Sequence, residues 1–136
     1  GMARALELAV NGLGEECARL AALRDRLEVR LTATLDDVGV NGPRARRLPG
    51  TTNLSFAGVE ANALVMSLPD LAFSTGSACT STHSEPSPVL RAMGVDTGLA
   101  AGSIRLGVGR FTGEAEVDRA ADRIIEEVRR LRHGNR

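Results

Sequence analysis

A single cysteine, Cys79, lies in a stretch of small residues that reads STGSACTS over residues 74–81. The other seven residues are Ser, Thr, Gly and Ala, which suit the interior of neither a strand nor a helix. The stretch therefore predicts a loop that exposes a thiol. A thiol acts as a nucleophile in its thiolate form, so chemistry at Cys79 requires a neighbouring group that takes its proton or stabilises the anion.

A base for that thiol is present four residues further on, at His83. A Cys/His pair is typical of proteases and acyl transferases, but such sites also need a group that orients the histidine, and only Glu85 is near in sequence. The other interpretation is that Cys79 is merely a small residue at a turn between a strand and a helix. The residues alone leave these two interpretations open.

A second candidate is Arg105, in the segment GSIRLGVGRF at residues 102–111. Because side chains alternate between the two faces of a strand, Arg105 projects from the face opposite the apolar residues. Its neighbours on that face, Ser103 and Gly107, are small and leave the guanidinium accessible. The pattern also fits an ordinary exposed arginine of a sheet. Arg110, which lies beyond the strand or on its other face, is interpreted as structural.

Composition argues against several classes of function. The 136 residues carry no net charge and 2% aromatic residues, which offers nucleic acid neither an electrostatic footprint nor a stacking platform. No apolar run approaches the ~20 residues of a membrane span. Two cysteines without a CxxC or Cys/His cluster predict neither a disulfide scaffold nor a metal site, and favour a cytoplasmic protein with free thiols. The other cysteine, Cys17, is predicted to be buried and inert on the apolar stripe of a helix.

All 17 basic residues are arginine, so the chain has no lysine with which to form a Schiff base. For two groups of arginines the sequence offers an explanation that needs no ligand. The RARR at residues 44–47 is predicted to lie in a solvated loop, with an anion-binding patch as the alternative. Arg129, Arg130 and Arg132 lie at the end of the last helix, where the helix dipole accounts for them.

The periodicity of apolar residues predicts the elements that must position these groups. A long helix spans residues 3–37, and the Asn-Gly at 11–12 is a point where it can kink or split. The remaining predictions are strands at 52–58, 70–76 and 102–111 and helices at 59–68, 87–94 and 114–132. Short strands with long helices packed on one side indicate an α/β domain of the two-layer α+β type.

The segments around Cys79 and Arg105 closely resemble the C-terminal part of NifS/IscS-type cysteine desulfurases. The matching motifs are the cysteine in GSACTS, the EPS at 85–87, the VLRAMG helix and the SIRLGVGRFT strand. The resemblance covers about residues 48–132. It implies the class V aminotransferase fold, with residues 1–37 as the inter-domain helix and 38–136 as the small domain, which carries the catalytic cysteine loop at 74–87.

The resemblance also implies a mechanism. L-cysteine condenses with pyridoxal 5'-phosphate (PLP), which serves as an electron sink, and the thiolate of Cys79 attacks the substrate sulfur. Alanine leaves, and the persulfide on Cys79 passes its sulfur to an acceptor such as an iron–sulfur scaffold protein. Arg105 matches the arginine that holds the substrate carboxylate, a role for which a planar guanidinium is suited. The full-length enzyme is expected to be a homodimer.

In this family a larger preceding domain carries the PLP lysine, and nothing in this sequence matches that domain. We therefore expect a truncated small domain that binds no PLP, is inactive alone and self-associates through the apolar face of its first helix. The alternatives are a PLP-independent sulfur carrier that is loaded on Cys79 by a separate enzyme, and a module that docks a scaffold protein. Neither nucleic acid nor membrane is expected as a partner.

Overall fold

The computed structural model of the chain describes residues 1–75 and 87–134. Its helices are α1 (Met2–Asn11), α2 (Leu13–Thr34), α3 (Ala61–Ser67), α4 (Pro88–Ala92), α5 (Thr97–Ala101) and α6 (Glu114–Gly134). Its strands are β1 (Val38–Val40), β2 (Thr51–Phe56), β3 (Ser74–Thr75) and β4 (Ser103–Gly107). None of the described helices is long and apolar enough to cross a membrane.

The four strands form one sheet in the order β1-β2-β4-β3, and every pair of neighbours is antiparallel. In β2 and β4 the residues of one face are buried and, apart from Thr52, apolar, among them Leu54, Phe56 and Ile104. These side chains belong to a single core with the buried stripes of α2, α3 and α6. The three helices therefore cover one face of the sheet, and the predicted two-layer α+β arrangement is confirmed.

The predicted long first helix is split at the expected place. Gly12 separates α1 from α2 because its backbone leaves the helical conformation, and α2 ends at Thr34 rather than at residue 37. Two short elements, β1 and α5, were not predicted from the sequence pattern. The predicted strands are shorter in the structure, since β3 has two residues and β4 ends at Gly107.

A charged cluster lies between α2 and the sheet. Glu28 on α2 is 3% exposed, and Arg47 donates two hydrogen bonds to its carboxylate, at 2.6 and 3.0 Å. Thr52, on the core face of β2, donates a third at 2.5 Å. Arg24, which is also buried, binds Asp25 and the carbonyls of the loop that precedes β2. The interpretation of residues 44–47 as a solvated loop is therefore wrong for Arg47.

The pKa of Glu28 reflects two opposing effects. Burial acts to raise the pKa, because it disfavours the charged carboxylate, but the hydrogen bonds from Arg47 and Thr52 outweigh it. The net result is a pKa below the ordinary value of 4.5. Glu28 is therefore ionised at neutral pH and compensates the charge of Arg47 in a site that excludes most water.

Helix α1 presents an apolar face that nothing in the described structure covers. None of its residues is buried, and Leu6 and Val10, one turn apart, are 64% and 60% exposed. The polar residues Arg4 and Glu7 lie on the other side and pair with each other. An apolar stripe of this kind is stabilised when it is removed from water.

We expect the 14.3 kDa chain to self-associate through this face. Leu6→Glu should raise the dissociation constant at least about tenfold, because it places a charge in the apolar contact. Leu8→Glu is the matched control, since Leu8 is also exposed but lies on the other side of α1. Sedimentation velocity over a concentration series measures both. A single monomeric species at every concentration would contradict the expectation.

Candidate functional site

Arg105 lies on the open face of the sheet. Its neighbours in β4, Ile104 and Leu106, are buried in the core, whereas the side chain of Arg105 is exposed. Its guanidinium donates no hydrogen bond within residues 1–75 and 87–134. The alternation predicted from the sequence is thus confirmed, and the side chain projects from the face of β4 opposite the core.

Arg105 belongs to a row of polar side chains that crosses the whole sheet. In the strand register it is opposite Asn53 of β2 on one side and Ser74 of β3 on the other. Asn41 follows β1 directly and is opposite Asn53, to whose carbonyl its backbone amide donates at 2.9 Å. We call Asn41, Asn53, Arg105 and Ser74 the polar row. All four residues lie on the face away from α2, α3 and α6.

Asn53 and Arg105 are close neighbours in this row. The backbone bonds from Phe56 to Gly102 and from Val108 to Gly50 mark the hydrogen-bonded pairs of the β2–β4 ladder. By alternation, Asn53 and Arg105 form a non-hydrogen-bonded pair. In such a pair the Cα atoms are about 4.5 Å apart, and the side chains lie closer together than in a hydrogen-bonded pair. A ligand that reaches one of them therefore meets the other.

A chain of hydrogen bonds connects the row to Ser55 and Ser103, the next residues on the same face of β2 and β4. The amide nitrogen Nδ2 of Asn41 donates to Asn53 Oδ1 at 2.7 Å and to Ser55 Oγ at 2.6 Å. Ser55 Oγ lies 2.7 Å from Ser103 Oγ, which donates to the carbonyl of Leu99 at 2.9 Å. The two serines are 1% and 2% exposed, so water does not compete with these bonds.

The loop after β4 is fastened to α2. Arg19 donates to three carbonyls of this loop, the shortest bond being 2.6 Å to that of Arg110. Arg110 in turn pairs with Glu16 at 2.5 Å, and this bond lowers the pKa of the Glu16 carboxyl. Arg110 thus has the structural role predicted for it. The loop holds Phe111 almost fully in solvent, at 93% exposure.

The predicted nucleophile Cys79 lies outside the described residues, as do His83 and Glu85. In the sequence Cys79 follows the end of β3 at Thr75 by four residues, and β3 is the strand beside Arg105. Cys17, predicted to be buried, is instead half-buried, because α2 begins only at Leu13 and its first turns extend beyond the core.

Sequence reasoning missed Asn41 and Asn53. The strand pattern of TTNLSF places Asn53 on the polar face, but only the pairing of β2 with β4 brings it opposite Arg105. Asn41 gives no signal in the sequence, because β1, with three residues, is too short to show a periodic pattern.

Comparison with known proteins identifies the family. Residues 1–120 match the aminotransferase class-V family, and the chain belongs to that family. It is 52% identical over 132 residues to the cysteine desulfurase IscS of Anaeromyxobacter sp. (strain Fw109-5), and 48% identical to the cysteine desulfurase of Mus musculus. These alignments cover 97% of this chain but 33% and 29% of the relatives, so the chain spans about a third of their length.

Solved structures agree with this assignment. A NifS-like protein of 32% identity superposes with a TM-score of 0.76 over 91% of this chain and 31% of its own length. A NifS-like protein from Rickettsia africae, at 22% identity, has the same fold with a TM-score of 0.74 over 88% of this chain. The predicted resemblance to NifS/IscS-type proteins and the predicted fold are both confirmed.

Proposed function

We propose that this chain is part of a PLP-dependent cysteine desulfurase, which converts L-cysteine to L-alanine and delivers the sulfur as a persulfide. The observation that carries this proposal is Arg105, an exposed guanidinium on the face of the sheet opposite the core, in a chain about half identical to named cysteine desulfurases. Arg105 binds the substrate carboxylate, and Cys79 accepts the sulfur.

The residues of this chain do not fit PLP by themselves. PLP enzymes hold the cofactor as a Schiff base on a lysine, and the chain has none. The cofactor, and the electron sink that it supplies, therefore belong to a part of the enzyme outside these 136 residues. We assign no residue of this chain to PLP and expect the chain to be inactive without that part.

The share of this chain in the reaction is binding and sulfur transfer. Two parallel hydrogen bonds from the Arg105 guanidinium match the two oxygens of a carboxylate and orient the substrate. The Cys79 thiolate then attacks the sulfur of L-cysteine, so that an S–S bond forms and the bond between carbon and sulfur breaks. The electron pair stays with the carbon, which takes up a proton and leaves as alanine.

The persulfide on Cys79 is the product that a partner collects. Its acceptor is a thiol-bearing protein, such as an iron–sulfur scaffold, which attacks the outer sulfur and releases the Cys79 thiolate. The absence of lysine favours one alternative, in which the chain works alone as a PLP-independent carrier and receives its sulfur from another enzyme. The two functions differ in whether loading of Cys79 depends on PLP and L-cysteine within one polypeptide.

A hybrid enzyme tests the proposal. In it, this chain replaces the matching 132 residues of the Anaeromyxobacter IscS, which supplies the remaining two thirds. We expect L-cysteine to yield alanine, and Cys79 to gain the mass of one sulfur atom in a form that thiol reductants remove. The isolated chain with added PLP should do neither. A folded hybrid that binds PLP but leaves Cys79 unloaded would overturn the proposal.

Substitution of Arg105 should weaken substrate binding in the hybrid enzyme. Arg105→Lys keeps the charge but loses the two-pronged geometry, so kcat/KM should fall roughly a hundredfold, mostly through KM. Arg119→Lys is the matched control, because Arg119 is exposed on the helical side of the domain. Steady-state kinetics with L-cysteine measure kcat and KM for both variants. Equal values for the two variants would remove Arg105 from the binding site.

A further inference from the structure

We infer that Asn53 is a second donor to the substrate carboxylate beside Arg105, and that Asn41 is the positioning residue that turns the Asn53 amide toward it. The inference rests on the proposed function, since it takes the α-carboxylate of an amino acid as the ligand of Arg105. It adds one residue of β2 and one that directly follows β1, and neither strand carries a predicted site residue.

The direction of the hydrogen bonds that run from Asn41 through the two serines to the carbonyl of Leu99 orients Asn53. The carbonyl of Leu99 can only accept, so Ser103 donates its one hydroxyl hydrogen to it. Ser103 Oγ then accepts from Ser55, and Ser55 Oγ accepts from the side chain of Asn41. This order gives every hydroxyl hydrogen an acceptor and turns the amino group of Asn41 toward its neighbours.

The same amino group fixes the amide of Asn53. One hydrogen of Asn41 Nδ2 goes to Ser55, and the other goes to the atom of Asn53 that lies 2.7 Å away. That atom must accept, so it is Oδ1, and Nδ2 of Asn53 is turned away from Asn41. Within the described residues, Nδ2 of Asn53 donates to no other group.

Two donors therefore lie side by side on the open face. Arg105 offers guanidinium N–H groups, and Asn53 offers an amide N–H from the adjacent, closely spaced position of the ladder. A carboxylate has two oxygens with four acceptor positions, so it can bind both donors at once. With the opposite orientation, Asn53 would present an oxygen to the carboxylate and repel it.

The test uses the chain itself, labelled with ¹⁵N, and follows side-chain NMR signals during a titration with L-alanine. We expect the Arg105 Nε–H signal and the Asn53 Nδ2 signals to shift together with one dissociation constant. L-alaninamide, which lacks the carboxylate, should move neither. Before ligand is added, the Nδ2 hydrogens of Asn41 should exchange with water more slowly than those of Asn53.

Two substitutions at Asn41 test its positioning role. Asn41→Ala removes the donor without adding charge and should raise the dissociation constant about tenfold, because the Asn53 amide loses its fixed orientation. Asn41→Asp can only accept, so it should turn Asn53 around and abolish the shift of its Nδ2 signals. Asn62→Asp on α3, which is exposed, adds the same charge away from the row. Backbone amide spectra confirm that each variant is folded.

The outcomes separate this inference from the proposed function. If Arg105 shifts with L-alanine and Asn53 does not, the inference is wrong and the proposed role of Arg105 stands. If neither shifts, both the second donor and the carboxylate role of Arg105 are overturned. If both shift and Asn41→Ala binds as tightly as the wild type, Asn41 has no positioning role.

Discussion

Replacement of Cys79 by serine in the hybrid enzyme is expected to lower alanine production at least about a thousandfold. A serine hydroxyl is not ionised at neutral pH and is a far weaker nucleophile toward sulfur than a thiolate. The variant should still bind PLP and L-cysteine, because Arg105 is unchanged. Alanine formation and the mass of the cysteine-containing peptides measure the two consequences in the same sample.

Cys17→Ser provides the matched control for that experiment. It removes the only other thiol of the chain, which is half-buried on α2. Its activity and its persulfide content should equal those of the unchanged hybrid enzyme. If Cys79→Ser retained activity while Cys17→Ser lost it, Cys17 would be the sulfur acceptor. The role proposed for Cys79 from the GSACTS motif would then be wrong.

The position of Arg105 could be predicted because it depends on one strand alone. Alternation along GSIRLG separates buried Ile104 from exposed Arg105 whatever the neighbouring strands are. The division of the first helix at Gly12 is likewise local, since Asn-Gly interrupts a helix without help from tertiary contacts. The long amphipathic α6 was predicted for the same reason: its periodic signal extends over more than five turns.

The companions of Arg105 could not be predicted, because they depend on strand pairing. Nothing in the sequence states that β2 lies between β1 and β4, and a shift of one residue would move Asn53 to the core face. Arg47 was misjudged for a similar reason. Its partner Glu28 lies 19 residues earlier on a helix whose pattern gives no sign that a carboxylate is buried.

Truncation of that carboxylate should destabilise the fold strongly. Glu28→Ala leaves Arg47, which is 13% exposed, and the hydroxyl of Thr52 without their acceptor. Removing one partner of a buried pair costs about 3 kcal/mol or more of the free energy of unfolding. Glu28→Gln should cost less, since the amide oxygen can still accept one of these bonds. Urea unfolding of the chain at neutral pH measures both changes.

The effect of pH gives the same prediction a second readout. The folded pKa of Glu28 lies below its ordinary value of 4.5, so its ionised form contributes stability that is present above that value. The contribution is lost as the pH falls through the folded pKa. The stability gap between the wild type and Glu28→Gln should therefore narrow as the pH falls below the ordinary pKa of 4.5 and through the lower folded pKa, because a protonated glutamate resembles glutamine.

Two further variants test whether the stability lost in Glu28→Ala arises from an unpaired buried charge. Asp122→Ala breaks an ion pair with Arg30 in which Asp122 is 60% exposed, and should cost less than about 1 kcal/mol. The double substitution Glu28→Leu with Arg47→Met removes both buried charges at once and should recover most of the stability that Glu28→Ala loses. If the double variant were as unstable as Glu28→Ala, the loss would come from packing or from Thr52. Stability would then depend on the shape of this cluster and not on the charge that Glu28 compensates.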